Sequence, residues 1–442
     1  MKNKALRGCL FAGEGVTPPH SFEKTGINQN VLVVGGTGAG KTVSVALPTA
    51  LYTDGKSVIF PYNKKEMPEL LRTFFEHEGY KTEVIDMADP ENGTEGYDPL
   101  DFVLDEASLM EFLKTCLDSS DGRKIISRQD PYWENAAQDM ALALIELLKL
   151  NEEHGGERAT LREFAGLLQN IRFLGEKNGE GIYNLDILFE EAEKRYPGNR
   201  ASAYWRSAKV PGKTAHCVIA TLNTCARELF SENAQKLAGM EKRVDFASLG
   251  REKKVLFINT SPYKGGSSRK FTNLLYDQMF RVLFEEAQSR PDSHLAVDVE
   301  VICDDFACGS RIPSMAKNIS IFRAAGLSVM LLLQSESQLT AMYGEADAAT
   351  IIDNCDNYIY MGGMDYNTVS RVSRIANKSV NQIMNMKVGD VVVLRRGQAP
   401  VMTTRYKTLE DPLYRYALSL AGKGGKEPEA QESEEPTAEP AA

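Results

Sequence analysis

The sequence predicts an α/β protein in which helices cover a mostly parallel sheet and a helical segment interrupts that sheet. Three observations lead to this fold class. Short apolar runs typical of buried strands alternate with amphipathic helices in both halves of the chain. A glycine-rich turn joins the first of these runs to a helix. Between the two halves, a segment of roughly 140 residues has helical periodicity almost throughout, which is enough for a domain of its own.

The alternation gives each element a position. In the first half, strands are predicted at 30–35, 56–60 and 81–87, with helices from about residue 41 and at 64–79. Strands return at 253–260, 297–306, 327–335, 357–363 and 390–397, with helices between them. The pattern therefore predicts one α/β domain made of 1–105 and 250–422, an inserted all-α domain at 106–249, and a tail at 423–442.

Composition narrows the class of protein. The chain has 442 residues, is 43% hydrophobic and carries a net charge of −10, which argues against a surface coated for DNA binding. Contact with nucleic acid would then be local, as in a basic pore. The tail at 423–442 holds six Glu and two Lys and is predicted to be disordered. No apolar run approaches the roughly 18 residues that span a bilayer.

The cysteines favour a reducing cytoplasm. There are seven of them, an odd number at irregular spacing, which does not suit a disulfide framework. Cys303 and Cys308 flank the acidic motif described below. We interpret both as small buried hydrophobic residues.

The glycine-rich turn predicts a nucleotide site. It follows a strand, opens a helix and fits the pattern G-x-x-x-x-G-K-[ST], a context that disfavours a chance glycine turn. Backbone N–H groups of such a turn converge on phosphate oxygens, and the helix N-terminus adds positive charge. Lys41 would reach the β- and γ-phosphates, and the Thr42 hydroxyl would coordinate Mg²⁺. The residues of the motif are Gly35, Gly36, Thr37, Gly38, Ala39, Gly40, Lys41 and Thr42.

Polar side chains at two later strand ends complete the predicted site. Such a turn needs a carboxylate at the end of a neighbouring strand, and Asp304 and Asp305 follow the apolar run at 299–303. We expect Asp304 to hold Mg²⁺ and Asp305 to act as base or orient water, although these acids could simply end a strand. Gln334 ends the next strand and could sense the γ-phosphate, or be a solvated strand-end residue.

The order of these motifs resembles that of the VirD/TraG-type coupling ATPases of conjugation and type IV secretion. The resemblance covers about residues 28 to 408. Besides the glycine-rich turn, the segments that carry it are YDPL (97–100), DPYWENAAQDMALALI (130–145), ICDDFACGSRIP (302–313), the glutamine segment beginning LSVMLLLQSESQL (327–339) and VGDVVVLRRGQAPV (388–401).

The resemblance implies a RecA-like motor with an all-α domain. Members of that family form hexameric rings that use ATP and Mg²⁺ to pass DNA or a relaxase–DNA complex into a type IV secretion channel. The family's membrane-spanning segment does not precede the first strand here. The resemblance therefore implies a cytoplasmic protein, peripheral at the inner face of the cell membrane through a membrane-anchoring partner.

Departures from the family pattern leave two alternatives open. The usual Asp-Glu pair is Asp304-Asp305 here, so the shorter second side chain could align water poorly. Tyr62 stands where the family's D-P-K-G-E segment begins, although Lys64 and Glu66 agree with it. The chain could therefore be a nucleotide-binding recruitment adaptor with little or no hydrolysis. An FtsK-like DNA translocase also fits the glycine-rich turn, but fits the helical insertion less well.

Two further groups have a functional and an ordinary interpretation. Arg323, Arg371 and Arg374 follow the acidic motif, and one of them could reach the nucleotide of a neighbouring subunit. Each could equally be a surface or ion-pair arginine. Trp133 and Trp205 in the insertion could stack on bases, but core packing is the simpler expectation.

Overall fold

Among the residues that the structure describes, a nine-stranded sheet is the framework of the fold. The computed structural model describes residues 4–63, 66–117, 131–210, 212–260, 269–308 and 311–422. The strands are β1 Val31–Val34, β2 Ser57–Tyr62, β3 Lys81–Asp86, β4 Phe173–Lys177, β5 Glu180–Tyr183, β6 Lys254–Asn259, β7 Val299–Cys303, β8 Leu327–Leu333, β9 Asn357–Tyr360, β10 Asp390–Arg395 and β11 Val401–Thr404.

Helices occupy both faces of this sheet and the long connection after β3. They are α1 Phe22–Thr25, α2 Leu47–Leu51, α3 Glu66–His77, α4 Glu106–Leu117, α5 Pro131–Glu153, α6 Leu161–Asn170, α7 Asp186–Arg195, α8 Arg200–Ala208, α9 Gly212–Leu229, α10 Glu232–Gly239, α11 Arg269–Gln288, α12 Met315–Asn318, α13 Phe322–Ala325, α14 Glu336–Tyr343, α15 Glu345–Asp353, α16 Tyr366–Ala376, α17 Val380–Met384 and α18 Pro412–Leu420. No helix of the described ranges is long and apolar enough to cross a membrane.

The strand order is β11-β10-β9-β1-β8-β7-β2-β6-β3. Every pair from β9 to β3 is parallel, while β10 and β11 add an antiparallel edge. The predicted α/β class with a mostly parallel sheet is therefore confirmed. Because the strands are parallel, their carboxyl ends meet at one edge, where ligands bind in folds of this kind.

Alternate residues of β1 face two separate apolar layers. Val31 and Val33 pack with α2, α3 and α18 on one face of the sheet. Leu32 and Val34 belong to the second layer, which also includes α11 and the inserted helices. Both faces of β1 are thus buried, which explains why the strand reads as a continuous apolar run.

The insertion is mainly helical but is not all-α. Between α6 and α7, β4 and β5 form an antiparallel hairpin, so the expectation of a purely helical domain was wrong. The physical reason is the two-residue loop Asn178-Gly179, in which both residues have positive φ, at 55° and 84°. Asn-Gly is the preferred sequence for this hairpin turn, so the signal was present in the chain.

Asp98 of the YDPL segment ties the insertion to the sheet. Its fully buried carboxylate accepts hydrogen bonds from the backbone N–H groups of Leu100, at 3.0 Å, and Leu161, at 3.0 Å. Burial raises the pKa of Asp98 to about 6. The carboxylate therefore joins the chain entering the insertion to the start of α6. One apolar layer includes residues of both predicted domains, and the boundaries at 106 and 249 stay a prediction.

Candidate functional site

The glycine-rich turn lies at the carboxyl end of β1, between β8 and β9. The Gly35 N–H donates to the carbonyl of Leu333, at 3.1 Å, and the Gly36 N–H donates to that of Gly362, at 2.8 Å. Both neighbouring strands therefore hold the start of the turn. The central position of β1 in the sheet gives the turn a rigid base.

Glycine is required where this turn approaches other atoms or reverses direction. A Cβ atom at Gly35 would lie 2.9 Å from the Cβ of Met361, so a side chain there would displace β9. Gly40 has φ of +86°, a region that residues with a side chain rarely adopt. The turn continues through Gly36, Thr37, Gly38 and Ala39.

Lys41 folds back over the turn. Its ammonium donates to the carbonyls of Gly35, at 2.6 Å, and Gly36, at 3.2 Å. Burial lowers the pKa of Lys41, whereas the nearby carboxylates of Asp305 and Asp304 act in the opposite direction. The ammonium thus contacts the turn and is influenced by the charge of both predicted acidic residues, and it can exchange carbonyl oxygens for phosphate oxygens.

Thr42 and Asp304 are in direct contact. The Thr42 hydroxyl donates to Oδ1 of Asp304 at 2.6 Å, although the two residues are 262 positions apart in sequence. A hydroxyl and a carboxylate are hard oxygen donors of the type that Mg²⁺ prefers, with water and phosphate completing its shell. Within the described ranges there is no group of three or more His, Cys, Asp or Glu side chains that could hold a metal on its own.

The acidic strand is not the immediate neighbour of β1. We expected the carboxylate on an adjacent strand, but β8 lies between β1 and β7. Gln334, which follows β8, is therefore at the end of the strand between the one that leads into the glycine-rich turn and the one that leads to Asp304. The Gln334 carbonyl lies 3.9 Å from the position of a Cβ at Gly363, and its N–H donates to the Gln338 side chain at 2.8 Å.

Asp305 has an unusual backbone conformation. Its φ is +49°, in the left-handed region, where Asp and Asn are several times more frequent than other non-glycine residues. The residue before the acidic pair, Cys303, is 2% exposed, which confirms its predicted role as a small buried residue. Cys308 ends a short turn, and its side chain lies outside the described residues.

Tyr62 lies on a strand that is not adjacent to the one leading into the glycine-rich turn. Its strand, β2, is separated from β1 by β7 and β8. Together with Glu69, Arg72 and Asp86, it lines a pocket of about 200 Å³, and burial raises its pKa. Lys64 and Glu66 belong to the same segment as Tyr62 in the comparison with the family pattern. Lys64 and the side chain of Glu66 lie outside the described residues.

The three candidate arginines differ in their surroundings. Arg371 on α16 forms ion pairs with Asp353, at 2.6 Å, and with Glu336, at 3.5 Å. Arg323 on α13 stacks over the Phe22 ring at 4.8 Å, near the amino end of β8. Arg374 is exposed on α16 and bonds to a carbonyl of its own helix at 3.3 Å.

Trp205 is a core residue. It is 2% exposed and stacks on Phe189 at 4.2 Å, while its indole N–H donates to Asp186 at 2.7 Å. This packing leaves no ring face for a base. The side chain of Trp133 lies outside the described residues.

One charged residue beside the turn was not singled out from the sequence. Arg405 follows β11, and its Nη1 atom lies 3.4 Å from the position that a Cβ at Gly40 would take. The two residues are far apart in the chain, and no local motif marks Arg405. Only the pairing of β9, β10 and β11 beside β1 brings them together.

Comparison with known families and structures agrees with this geometry. The family described as type IV secretory system conjugative DNA transfer matches residues 2–380 of the chain. The comparison with curated proteins found no significant match to this chain.

Solved structures with a similar fold include conjugative coupling proteins. One is the plasmid coupling protein TrwB in complex with ADP and Mg²⁺, with a TM-score of 0.62, 16% identity, and 91% of each chain covered. An unbound form, TrwBdeltaN70, has a TM-score of 0.62 at 16% identity and covers 92% of this chain and 90% of its own. VirB4 of Thermoanaerobacter pseudethanolicus has a TM-score of 0.55 at 14% identity, covering 92% and 98%.

Proposed function

Because the chain belongs to the type IV secretory system conjugative DNA transfer family, we propose that it is an ATPase that drives recruitment and transfer of DNA or a relaxase–DNA complex. The observation that carries this proposal is the 2.6 Å contact between Thr42 and Asp304, which joins the glycine-rich turn to the acidic strand. TrwB, whose fold is similar, has been solved with ADP and Mg²⁺. The cofactors of this chain are accordingly ATP and Mg²⁺.

Each side chain of the site has a task that its position supports. Lys41 exchanges the carbonyls of Gly35 and Gly36 for β- and γ-phosphate oxygens. Thr42 and Asp304 would hold Mg²⁺, and the bound ion would supply positive charge beside the reacting phosphate. Asp305, which acts on the charge of Lys41, orients the attacking water, and Gln334 senses the γ-phosphate from β8.

The assembly follows from the same family. We propose a hexameric ring in which the α/β domain of 1–105 and 250–422 hydrolyses ATP and the insertion at 106–249 recruits the nucleoprotein. Arg374 is the best candidate to reach a neighbouring subunit's nucleotide, because Arg371 and Arg323 are engaged within the chain. The ring works in the cytoplasm, held at the inner face of the cell membrane by a membrane-anchoring partner beside the type IV secretion channel.

ATP turnover by the purified chain tests the proposal. It is measured alone, with single-stranded DNA and with double-stranded DNA, and Lys41→Ala serves as the blank. We expect DNA to stimulate turnover by the natural chain and Lys41→Ala to remove that turnover. Equal turnover by the Lys41→Ala variant would show that the glycine-rich turn is not the site of hydrolysis.

A nucleotide-binding recruitment adaptor is the second candidate. The short side chain of Asp305 favours it, because aspartate reaches one methylene less far towards an attacking water than glutamate would. In that case ATP would order the assembly without being consumed. Tight ATP binding with no turnover under any of the three conditions is the result that would favour the adaptor.

A further inference from the structure

Arg405 places a guanidinium group against the glycine-rich turn. Its Nη1 and Cδ atoms lie 3.4 and 3.6 Å from the position of a Cβ at Gly40. The Arg405 Nε atom lies 3.8 Å from the position that a Cβ at Gly389 would take. The side chain therefore runs between two glycines, and a larger residue at Gly40 would obstruct it.

The backbone on both sides of Arg405 is fixed to the elements around the turn. The Arg405 N–H donates to the Gly389 carbonyl at 2.8 Å. The Thr408 hydroxyl donates to the carbonyl of Val43, the residue after Thr42, at 2.6 Å. The first bond ties the segment that carries Arg405 to the residue before β10, and the second ties it to the start of the helix that follows the turn.

A buried carboxylate adds a third anchor to that segment. Asp411 accepts hydrogen bonds from the phenols of Tyr406, at 2.6 Å, and Tyr52, at 3.0 Å. Tyr52 directly follows α2, and Tyr406 directly follows Arg405. The guanidinium is thus positioned by a network that spans the helix after the turn, which is the kind of support a binding group needs.

No contact of the Arg405 guanidinium within the described part of the chain explains why its segment is anchored in this way. The side chain is exposed, and within the described ranges no hydrogen bond or ion pair engages its guanidinium. A guanidinium carries five N–H donors in a planar fork that suits phosphate oxygens. A cation on an anchored segment beside a phosphate-binding turn is therefore available to an anionic ligand.

The topology indicates which part of the ligand Arg405 meets. Asp304 and Gln334 approach the turn from the side of β7 and β8, where the γ-phosphate would react. Arg405 approaches from the opposite side, through β9, β10 and β11. Val43, which is 41% exposed, offers apolar surface on the helix bonded to the same segment.

We propose that Arg405 binds the α-phosphate and ribose end of the nucleotide held by its own chain. This assignment rests on the proposed nucleotide-binding function and adds a cis contact to it. Because the α-phosphate is common to ADP and ATP, Arg405 should contribute to the affinity for both. It should contribute little to the chemical step, which takes place on the other side of the turn.

The test compares ADP and ATP binding with turnover in the full-length chain. We expect Arg405→Ala to weaken ADP and ATP binding to a similar extent, roughly tenfold to a hundredfold for a lost charge-assisted bond. The KM for ATP should rise while turnover at saturating ATP stays within about twofold of the natural value. Arg405→Lys, which keeps the charge but loses the fork, should recover part of the affinity.

Two controls keep the outcomes separate. Arg396→Ala removes a 72% exposed arginine at the far end of β10 and should bind ADP as the natural chain does. Arg405→Gln keeps a side chain that packs between the glycines and replaces Arg405→Ala if that variant does not fold. Natural affinity for ADP in the folded Arg405→Ala or Arg405→Gln variant would overturn the assignment.

The failures are also distinguishable from one another. If the natural chain itself binds neither ADP nor ATP, the proposed function fails. If Arg405→Ala lowers turnover at saturating ATP but leaves ADP affinity unchanged, Arg405 acts at the γ-phosphate and the subsite proposed here is wrong.

Discussion

Strand β7 carries a carboxylate at each end, and the two have opposite surroundings. Near its start, Glu300 is buried with His20, and the Nε2–Oε1 distance is 2.8 Å with both side chains 3% exposed. The Lys56 ammonium lies 3.9 Å from the other Glu300 oxygen. Past its end, Asp304 is only half-buried and contacts Thr42 of the glycine-rich turn.

The comparison of Glu300 with Asp304 distinguishes a carboxylate that stabilises the fold from one that is available to a ligand. Burial alone would raise the pKa of Glu300, but His20 and Lys56 together lower it to about 2. Burial lowers the pKa of His20 itself, so near neutral pH His20 acts on Glu300 mainly as a hydrogen-bond donor and Lys56 supplies the positive charge. That carboxylate is satisfied by partners of its own chain and has no access to solvent. Beyond the other end of β7, the Lys41 ammonium donates to a carbonyl of its own turn. A bound phosphate can take the place of that carbonyl as the acceptor.

The largest expected effect is at the exposed end. Asp304→Asn keeps the size of the side chain and an oxygen that can accept from Thr42, but it removes the charge that would hold Mg²⁺. We expect ATP turnover to fall by about a hundredfold to a thousandfold, as when one preorganised group is lost from a site. The free energy of unfolding, measured with urea, should change by less than about 1 kcal/mol.

Turnover that survives Asp304→Asn would place the metal elsewhere. Loss of folding in the same variant would mean that Asp304, like Glu300, serves the structure. Either result would remove the contrast between the two ends of β7.

The opposite pattern is expected at the buried end. Glu300→Ala removes the hydrogen-bond partner of buried His20 and the negative charge that faces Lys56, a loss that costs about 1–3 kcal/mol. We expect a large fall in urea stability, while the folded fraction retains its KM for ATP and its ADP affinity. Unchanged stability together with weakened ADP binding would show that the two ends of β7 are coupled.

The pH dependence of stability sharpens the same comparison. The folded pKa of Glu300, about 2, lies below its ordinary value of 4.5, so the folded state favours the ionised form. The resulting stabilisation is complete above the ordinary value and is lost as the pH falls towards 2. Over that interval the difference in unfolding free energy between the natural chain and Glu300→Gln should shrink by about 3 kcal/mol.

Urea unfolding from pH 6 down to pH 2.5 measures that difference. Parallel curves for the natural chain and Glu300→Gln would show that Glu300 titrates normally.

Much of the fold could be predicted because both faces of the central strands are buried. Such strands read as apolar runs, and β1 and β8 are examples. Strand β11 was missed because its residues are almost all exposed at the sheet edge. The β4–β5 hairpin was missed because the surrounding helical periodicity outweighed the Asn-Gly turn.

The site was predictable only where a local motif defines it. Lys41 and Thr42 follow from their spacing within one turn. The position of β8 between β1 and β7 depends on long-range strand pairing, and no local sequence pattern in β1 or β7 indicates it. The position of Arg405 beside Gly40 depends on the antiparallel edge of the sheet, and the φ of Asp305 depends on the turn after β7.

The smallest expected effect is at Asp305, whose positive φ could not be predicted from the sequence. Glutamate enters the left-handed region less readily than aspartate, so Asp305→Glu should cost about 1 kcal/mol of stability. The longer side chain also reaches about one methylene further towards the water. If Asp305 already orients that water, as an ATPase requires, turnover should stay within about threefold of the natural value. The measurement is DNA-stimulated turnover beside urea unfolding.

A large rise in turnover on Asp305→Glu would instead favour the adaptor. It would mean that the rest of the site, Lys41, Thr42 and Asp304, is competent and that the shorter carboxylate limits hydrolysis. Asp305→Asn is the matched control, since it suits the positive φ but cannot accept a proton. Turnover lost in Asp305→Asn and kept in Asp305→Glu would assign the effect to the carboxylate rather than to the backbone, and would make the exposed end of β7 the catalytic one.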